Sequence, residues 1–131
     1  MNYATLSSTI RGFTDLHAWK EGHKLVLMIY KVARTFPREE RFELATQICS
    51  AAASITSNIA EGFSRGSYKE KLYFYGIALG STTEIQNQLY IAKDVGHIST
   101  ESFTSLYKQS ITVHKLINGL IKKSKAIIHD S

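Results

Sequence analysis

The chain has 131 residues, of which 44% are hydrophobic and one is proline, and its formal net charge is +5. This length and composition are typical of a single globular domain and exclude a low-complexity tail or linker. The single cysteine excludes an intrachain disulfide and a thiolate metal cluster, and no apolar run reaches the about 18 residues that a membrane span needs.

The first predicted helix follows residues 1–14, which we expect to form a flexible N-terminal segment. Asp15 is a suitable N-cap, and the helix is expected to reach about Thr35. The opening residues are polar and lack the continuous apolar stretch of a signal peptide. Together with the lack of a membrane span, this predicts a cytoplasmic protein with no membrane partner.

The second predicted helix carries the clearest pattern in the chain. Phe36 and Pro37 interrupt the chain before it, and its apolar residues then recur at alternating steps of three and four, which places them on one stripe. This stripe consists of Ala45, Ile48, Ala52, Ile55 and Ile59. Small residues beside the stripe allow a neighbouring helix to approach closely, and Gly62 is expected to end the helix as a left-handed C-cap.

Polar residues near the end of this helix predict a junction with the third helix. An acidic side chain in the last turn opposes the helix dipole, so we expect Glu61 to have a specific partner. Asn58 and Glu61 are predicted to organise the junction, with Ser81 or Glu84 as their polar partners. A structural role for these residues is favoured over a functional one.

Capping signals delimit the third and fourth predicted helices. Ser67 and Glu70 form a capping-box pattern at the start of the third helix, which is expected to run to about Val95 and to end at Gly96. Ser99 caps the fourth helix, which is expected to end among the terminal lysines.

The fold class follows from these helices. No segment alternates convincingly with period two, so no sheet is expected. Four helices joined by short loops predict an all-α protein, an antiparallel up-down four-helix bundle. The bundle is expected to span residues 15–125, with a C-terminal tail at residues 126–131.

The third predicted helix has more apolar residues than its side of a lone bundle requires. Gly76 and Gly80 lie on one of its faces, and each costs about 1 kcal/mol relative to alanine in a helix interior, a cost that close helix contact offsets. Surplus apolar surface usually marks a partner surface, so we expect a homo-oligomer. The surplus residues are Tyr73, Phe74, Ile77, Ile85 and Ile91.

The chain shows no arrangement typical of catalysis or of metal binding. His17 and His23 are six residues apart, too far around a helix to share a metal ion. Glu61 and Glu84 lie on neighbouring helices, but the Glu-x-x-His sequences of a di-iron bundle are missing. A phosphate-binding glycine loop and a nucleophile elbow are missing as well. We therefore expect that the protein is not an enzyme and has no catalytic residues, metal site or cofactor.

Most of the excess positive charge lies in the last helix, where five lysines follow residue 104 against one acidic residue. Lysines that recur every seven residues share one strip of this helix, and a second patch is expected at the start of the third helix. Such patches favour an anionic partner, although a solvated lysine face is an equally common alternative. The candidate nucleic-acid-binding residues are Arg65, Lys69, Lys108, Lys115, Lys122, Lys123 and Lys125.

These features together resemble the family of the 23S rRNA intervening-sequence proteins, bacterial four-helix bundles once labelled S23 ribosomal proteins. The similarity spans roughly residues 15–122, and the string Ser-Asn-Ile-Ala-Glu-Gly at 57–62 is its most specific part. The other matching landmarks are Trp19, Ile29-Tyr30, Phe36-Pro37, Gln47, Ala51 through Ile55, Arg65, Ala78, Gly80-Ser81, Glu84 and Leu89.

The resemblance implies an up-down bundle that assembles as a ring-like homopentamer. It also implies an origin in open reading frames within rRNA genes. Related accessory proteins of diversity-generating retroelements bind nucleic acid and a reverse transcriptase, so RNA, DNA, a reverse transcriptase or another protein are the implied partners. The structural motif that it implies comprises Asn58, Glu61, Gly62, Gly80, Ser81 and Glu84.

The chain departs from the family pattern in the second helix. Relatives commonly carry two arginines where this chain has Cys49 and Ser50, and they tend to have proline at the position of Thr56. The loss of two basic residues removes two phosphate contacts from this helix. We therefore expect non-specific RNA or DNA binding through the other basic patches of a non-enzymatic oligomer. The alternative is a structural or protein-interaction scaffold with no nucleic-acid role.

Overall fold

Four long helices make up most of the described chain. The structure, a computed structural model, describes residues 9–40 and 43–130. Its helices are α1 (His17–Ala33), α2 (Leu44–Ser64), α3 (Tyr68–Asp94) and α4 (Thr100–Asp130), and short 3₁₀ turns occupy Phe13–Asp15 and Arg38–Glu40. These two ranges contain no strand, so the prediction of an all-α fold is confirmed.

The four helices pack as a bundle. Helix α2 packs on both α1 and α3, while α4 packs on α3 and returns to α1, so each helix has two helical neighbours. Between α2 and α3, Ser54 contacts Ser81, and Gly62 faces Tyr75. Later residues of α2 therefore meet earlier residues of α3, and the predicted four-helix bundle is confirmed.

The predicted apolar stripe of α2 lies in the core. All five of its residues are buried, as the alternating spacing requires of a helix with neighbours on both sides. Each fully buried aliphatic side chain contributes about 1.5–3 kcal/mol, so this core is the main source of stability. The large aliphatic side chains that α1, α3 and α4 add to it are Leu25, Ile29, Ile85, Leu89, Val113 and Ile117.

The predicted N-caps of α3 and α4 are confirmed. The Ser67 hydroxyl accepts a hydrogen bond from the Glu70 N–H at 3.2 Å and donates one to the Glu70 carboxylate at 3.0 Å. The Ser99 hydroxyl accepts a hydrogen bond from the Ser102 N–H at 3.0 Å. Both serines thus satisfy a backbone donor that the first turn of a helix leaves unpaired.

The predicted end of α3 at Gly96 is also confirmed. Gly96 has φ +84°, and α3 ends two residues before it. The N–H of Gly96 donates to the carbonyl of Lys93 at 3.0 Å, and that of His97 donates to the carbonyl of Ala92 at 2.8 Å. This pair of hydrogen bonds satisfies the last carbonyls of the helix and requires a left-handed residue, which glycine adopts without strain.

The prediction that Asp15 caps α1 is wrong. Its carboxylate accepts hydrogen bonds from the N–H groups of Arg11 at 2.9 Å and of Gly12 at 3.1 Å, so it closes the preceding 3₁₀ turn. These two hydrogen bonds lower the pKa of Asp15, and the bond from Arg11 has the larger effect. The N-cap of α1 is Leu16, whose side chain offers no acceptor.

The prediction that Gly62 is a left-handed C-cap is wrong as well. Helix α2 continues through Gly62 to Ser64, and Gly96 is the one described glycine with positive φ. A Cβ atom at Gly62 would lie 2.6 Å from Cε1 of Tyr75. Glycine is required here because the Tyr75 ring occupies the space of a side chain, not because the backbone turns.

The last helix is longer than expected. Helix α4 continues to Asp130, so the expected tail at residues 126–130 belongs to the helix. Of the expected N-terminal segment, residues 1–8 lie outside the described residues, as does residue 131.

We predict that Gly62→Ala destabilises the protein. The new methyl group would clash with the Tyr75 ring, and overpacking of this kind costs about 1–3 kcal/mol, which outweighs the helix propensity that alanine adds. Urea unfolding at one fixed protein concentration measures the effect.

Gly119→Ala is the matched control, because Gly119 is also inside a helix but has no neighbouring atom within 4 Å of an added Cβ. This control should gain up to about 1 kcal/mol. A Gly62→Ala protein as stable as the control would contradict the role given to Tyr75.

Candidate nucleic-acid interface

Three of the predicted lysines surround one depression on α4. Lys115, Lys122 and Lys125 line it together with Asn118, and its volume is about 480 Å³. We call these four residues the α4 basic groove. Lys115 and Lys122 are separated by about 10 Å along the helix axis and Lys122 and Lys125 by about 5 Å. The groove therefore offers three cations to one extended anion.

The lysines of the α4 basic groove are free of acidic partners in the part of the chain that the structure describes. All three are exposed, and none has a carboxylate oxygen within 4.0 Å. Their charges are therefore neutralised by solvent ions alone, and a phosphate backbone can displace such ions.

The other two candidate lysines of α4 lie outside the groove. Lys108 is exposed two turns before Lys115 on the same strip, so it extends the positive surface. Lys123 is exposed as well, but it lies about 100° around the helix from Lys122. The structure thus separates Lys123 from the three lysines that line the groove.

The second predicted patch is engaged within the chain. Arg65 lies 3.3 Å from the Glu61 carboxylate and 4.0 Å from that of Glu70, and its guanidinium lies 4.6 Å from the centre of the Phe74 ring. Arg65 therefore joins the end of α2 to the start of α3. Lys69 is exposed and is the cation of this pair that stays available to solvent.

Lys71, beside this patch, also has a structural contact. Its ammonium group donates hydrogen bonds to the carbonyls of Gly62 at 3.2 Å and Phe63 at 2.7 Å, in the last turn of α2. A cation at this position interacts favourably with the helix dipole and satisfies unpaired carbonyls. Partial burial lowers the pKa of Lys71.

The predicted polar junction between α2 and α3 exists, but with different partners. Asn58 donates to the Ser54 carbonyl at 2.8 Å and to the Ser54 hydroxyl at 3.0 Å, and the Ser81 hydroxyl donates to that of Ser54 at 2.9 Å. Asn58 is therefore linked to Ser81 through Ser54, which the sequence analysis missed. Serine one turn before asparagine, facing a serine on the next helix, is the signal that would have revealed it.

Glu61 and Glu84 do not take part in the hydrogen bonds that link Asn58 to Ser81. The Glu61 side chain is 47% exposed and pairs with Arg65, four residues later in the sequence. The partner that its unfavourable dipole position demands is thus a local arginine. Glu84 accepts a hydrogen bond from Gln88 at 3.3 Å on the same helix.

Three of the five surplus apolar residues of α3 face outward. Tyr73, Ile77 and Ile91 are 66%, 37% and 43% exposed, whereas Ile85 is in the core and Phe74 is half-buried beneath Arg65. Gly76 and Gly80 are exposed among them, with no atom within 4 Å of an added Cβ. The close helix contact that these glycines predict is therefore not made within the chain. We call Tyr73, Gly76, Ile77, Gly80 and Ile91 the α3 outer face.

An aromatic cluster that the sequence analysis missed lies between α3 and α4. The Tyr90 ring centre lies 4.9 Å from that of Phe103 and 5.5 Å from that of Tyr107, and Phe103 stacks on Tyr107 at 5.3 Å. The Lys93 ammonium lies 4.5 Å from the Phe103 ring centre and 5.3 Å from that of Tyr90. Desolvation raises the pKa of Tyr107, and the interaction with the neighbouring Tyr90 raises it further. The four-residue spacing of Phe103 and Tyr107 predicts that they share one face of a helix. Their contact with Tyr90 depends on the register between α3 and α4, which the spacing does not indicate.

A depression with a volume of about 730 Å³ lies between α1 and α2. Cys49 and Ser50, where relatives commonly carry arginine, line it beside Tyr30 and Arg34. Burial raises the pKa of the Cys49 thiol. Within residues 9–40 and 43–130, no three metal-ligating side chains gather, and no helix is both long and apolar enough to cross a bilayer.

The fold and the site define a small all-helical bundle with a cationic groove along its last helix. The chain belongs to the family described as the 23S rRNA-intervening sequence protein, whose model matches residues 14–119. The resemblance inferred from the sequence is therefore confirmed for this family, while the link to retroelement accessory proteins stays a prediction.

A solved structure supports the same assignment of fold. A protein of unknown function from the S23 ribosomal protein family of Bacteroides thetaiotaomicron matches this structure with a TM-score of 0.75 at 23% sequence identity. The match covers 80% of this chain and 95% of that chain. At this identity the likeness shows the fold alone. No curated protein matches the chain.

We predict that Lys71→Met destabilises the bundle by about 1–2 kcal/mol, because two carbonyls at the end of α2 lose a charged donor. Methionine keeps most of the length of the side chain, so the loss reports the ammonium group. The matched control is Lys69→Met, which removes the same charge at an exposed position two residues earlier. Thermal unfolding of both variants measures the difference, and equal melting temperatures would contradict the capping role.

Proposed function

We propose that this protein is a non-enzymatic, homo-oligomeric helical bundle that binds RNA or DNA without sequence specificity. The observation that carries the proposal is the α4 basic groove, in which Lys115, Lys122 and Lys125 line one depression and have no acidic partner in the described chain. Lysines without acidic neighbours release counterions when they meet a phosphate backbone, and this release drives binding. The family description, which refers to an rRNA intervening sequence, favours the same class of partner.

The groove supports non-specific binding better than base readout. Lysine offers a point charge on a flexible stem, whereas the bidentate recognition of base edges usually requires arginine, asparagine or glutamine. Phosphate contacts position a nucleic acid but carry no sequence information. Asn118 is the one amide in the groove, and its Nδ2 lies 3.3 Å from Nδ1 of His114.

The α3 outer face supports an assembly of identical subunits. It combines exposed Tyr73 and Ile77 with glycines that leave room for another backbone, and exposed apolar surface of this kind usually marks an interface. A closed ring, with five subunits as the family resemblance implies, would repeat the basic groove once per subunit. Such repetition strengthens weak phosphate contacts by raising the effective concentration of the second site.

We predict that K115Q/K122Q/K125Q weakens nucleic-acid binding mainly at low salt. Each neutralised phosphate contributes about 0.7 to the slope of log Kd against log salt on single strands, so the loss of three contacts should reduce this slope by about 2. Fluorescence anisotropy with unrelated RNA and DNA oligonucleotides of equal length, over a series of salt concentrations, measures both quantities.

K20Q/K24Q/K31Q is the matched control for this experiment. It removes the same net charge from three exposed positions of α1 that do not line the groove, one of which, Lys24, lies 3.4 Å from the Glu21 carboxylate. It should leave the slope nearly unchanged. If the groove variant and the control behave alike, binding depends on net charge and not on the groove. If the natural protein has no measurable affinity at low salt, the proposal of nucleic-acid binding is wrong.

We predict that Ile77→Glu lowers the oligomer mass, because a charge on the α3 outer face would be buried unpaired between subunits. Ile111→Glu is the matched control, since Ile77 and Ile111 are 37% and 40% exposed and Ile111 lies on the outer side of α4. Light scattering at micromolar concentration measures the mass. A monomeric natural protein, or an unchanged mass for Ile77→Glu, would contradict this assignment of the interface.

The second candidate function is a protein-interaction scaffold with no nucleic-acid role. The observation that favours it is the exposure of single apolar side chains that do not line the groove, because Leu27 and Val95 are each 58% exposed. A reverse transcriptase, or another protein partner, is the occupant that the resemblance suggests. This function replaces the first one if neither RNA nor DNA binds while the assembly remains intact.

A further inference from the structure

The aromatic cluster between α3 and α4 is open to solvent on one side. Tyr90 is 46% exposed, and Phe103 and Tyr107 are half-buried. The three rings contact one another at centre distances between 4.9 and 5.5 Å, so each ring holds the others in place. A rigid aromatic surface of this kind loses little entropy when a flat ligand stacks on it.

A cation accompanies this aromatic cluster. The Lys93 ammonium lies over Phe103 and Tyr90 and 3.9 Å from the Asp94 carboxylate. The contact with Asp94 is solvent-exposed and therefore weak. Lys93 thus remains able to meet a phosphate at the edge of the cluster.

The aromatic cluster and the α4 basic groove lie along the same side of α4. Tyr107 and Lys125 are 18 residues apart, or about five complete turns, so both face in one direction about 27 Å from each other. Lys115 lies between them along the axis, about 12 Å from Tyr107 and about 80° around the helix from it. The sequence from Tyr107 to Lys125 contains no acidic residue, so no negative charge on α4 interrupts this path.

We infer that the exposed ring of Tyr90, held in place by the half-buried rings of Phe103 and Tyr107, stacks on an unpaired base, while the α4 basic groove holds the phosphates of the same strand. This inference rests on the proposed function and specifies its ligand as single-stranded nucleic acid. An aromatic side chain stacks on any base that has a free face, so the binding tolerates every sequence. In a duplex the base faces are already stacked inside the helix, and only the lysines find a partner.

The test compares three tyrosine variants on three ligands: single-stranded RNA, single-stranded DNA and duplex DNA of equal length. Tyr90→Leu removes the stacking surface but keeps an apolar side chain. Tyr90→Phe keeps the ring and loses the hydroxyl. Tyr30→Leu is the matched control, because Tyr30 is 42% exposed on α1, away from the groove. Circular dichroism of each variant reports whether the bundle remains folded.

We expect Tyr90→Leu to weaken single-strand binding by about 5- to 150-fold, the range for loss of one stacked base. Its salt slope and its duplex affinity should stay unchanged, because the lysines are intact. Tyr90→Phe and Tyr30→Leu should bind all three ligands as the natural protein does. A structural role for Tyr90 would instead reduce single-strand and duplex binding together.

The outcomes separate this inference from the proposed function. If binding to single strands and duplex depends on the groove lysines but Tyr90→Leu changes neither, the stacking inference is wrong and the proposed function stands. If no ligand binds at low salt, both are wrong. If Tyr90→Leu does not fold, Tyr90→Trp gives the answer, since stacking must quench its fluorescence with single strands and not with duplex, in a Trp19→Phe background.

Discussion

The close contact between α2 and α3 is the constraint on which the rest of the bundle depends. Small buried residues, Ala51 and Ala52 on α2 and Ala78 on α3, face the core where larger side chains would separate the helices. At Gly62 the space of a side chain is occupied by the Tyr75 ring, 2.6 Å from where a Cβ would lie. Dispersion contacts strengthen as atoms approach to their optimal separation, so the small residues increase the packing energy of the whole interface.

This contact also determines which surfaces remain free. Because α3 uses one side for α2 and another for α4, residues such as Tyr73 and Ile77 face outward although they are apolar. On the side of α4, Gln86 donates to the Ser110 hydroxyl at 3.1 Å, one turn from Tyr90. The register of α3 against α4 therefore places Tyr90 beside Tyr107 and leaves the lysines of α4 on the outside of the bundle.

Local signals in the sequence were sufficient for the fold and insufficient for several contacts. The apolar stripe of α2 and the serine caps at Ser67 and Ser99 depend on residues within one or two turns, and all were predicted correctly. The role of Gly62 depends on Tyr75 of the next helix, whereas the local pattern of a glycine near a helix end predicts a C-cap. The N-cap prediction for Asp15 is wrong for a different reason, because its carboxylate accepts hydrogen bonds from the residues before it. The aromatic cluster depends on the register between α3 and α4. No local pattern encodes this register, so the sequence does not predict the cluster.

The basic residues illustrate how structure divides one composition into different roles. Arg65 lies between Glu61 and Glu70, and Lys71 contacts backbone carbonyls, so the positive charge of both is used to join α2 to α3. The lysines of α4 have no such neighbours in the described chain. A charged side chain that has an internal partner must lose that contact before it can bind phosphate, whereas a solvated lysine exchanges only mobile ions. For this reason we propose the α4 basic groove, and not the Arg65 patch, as the surface on which a nucleic acid would gain the most binding energy.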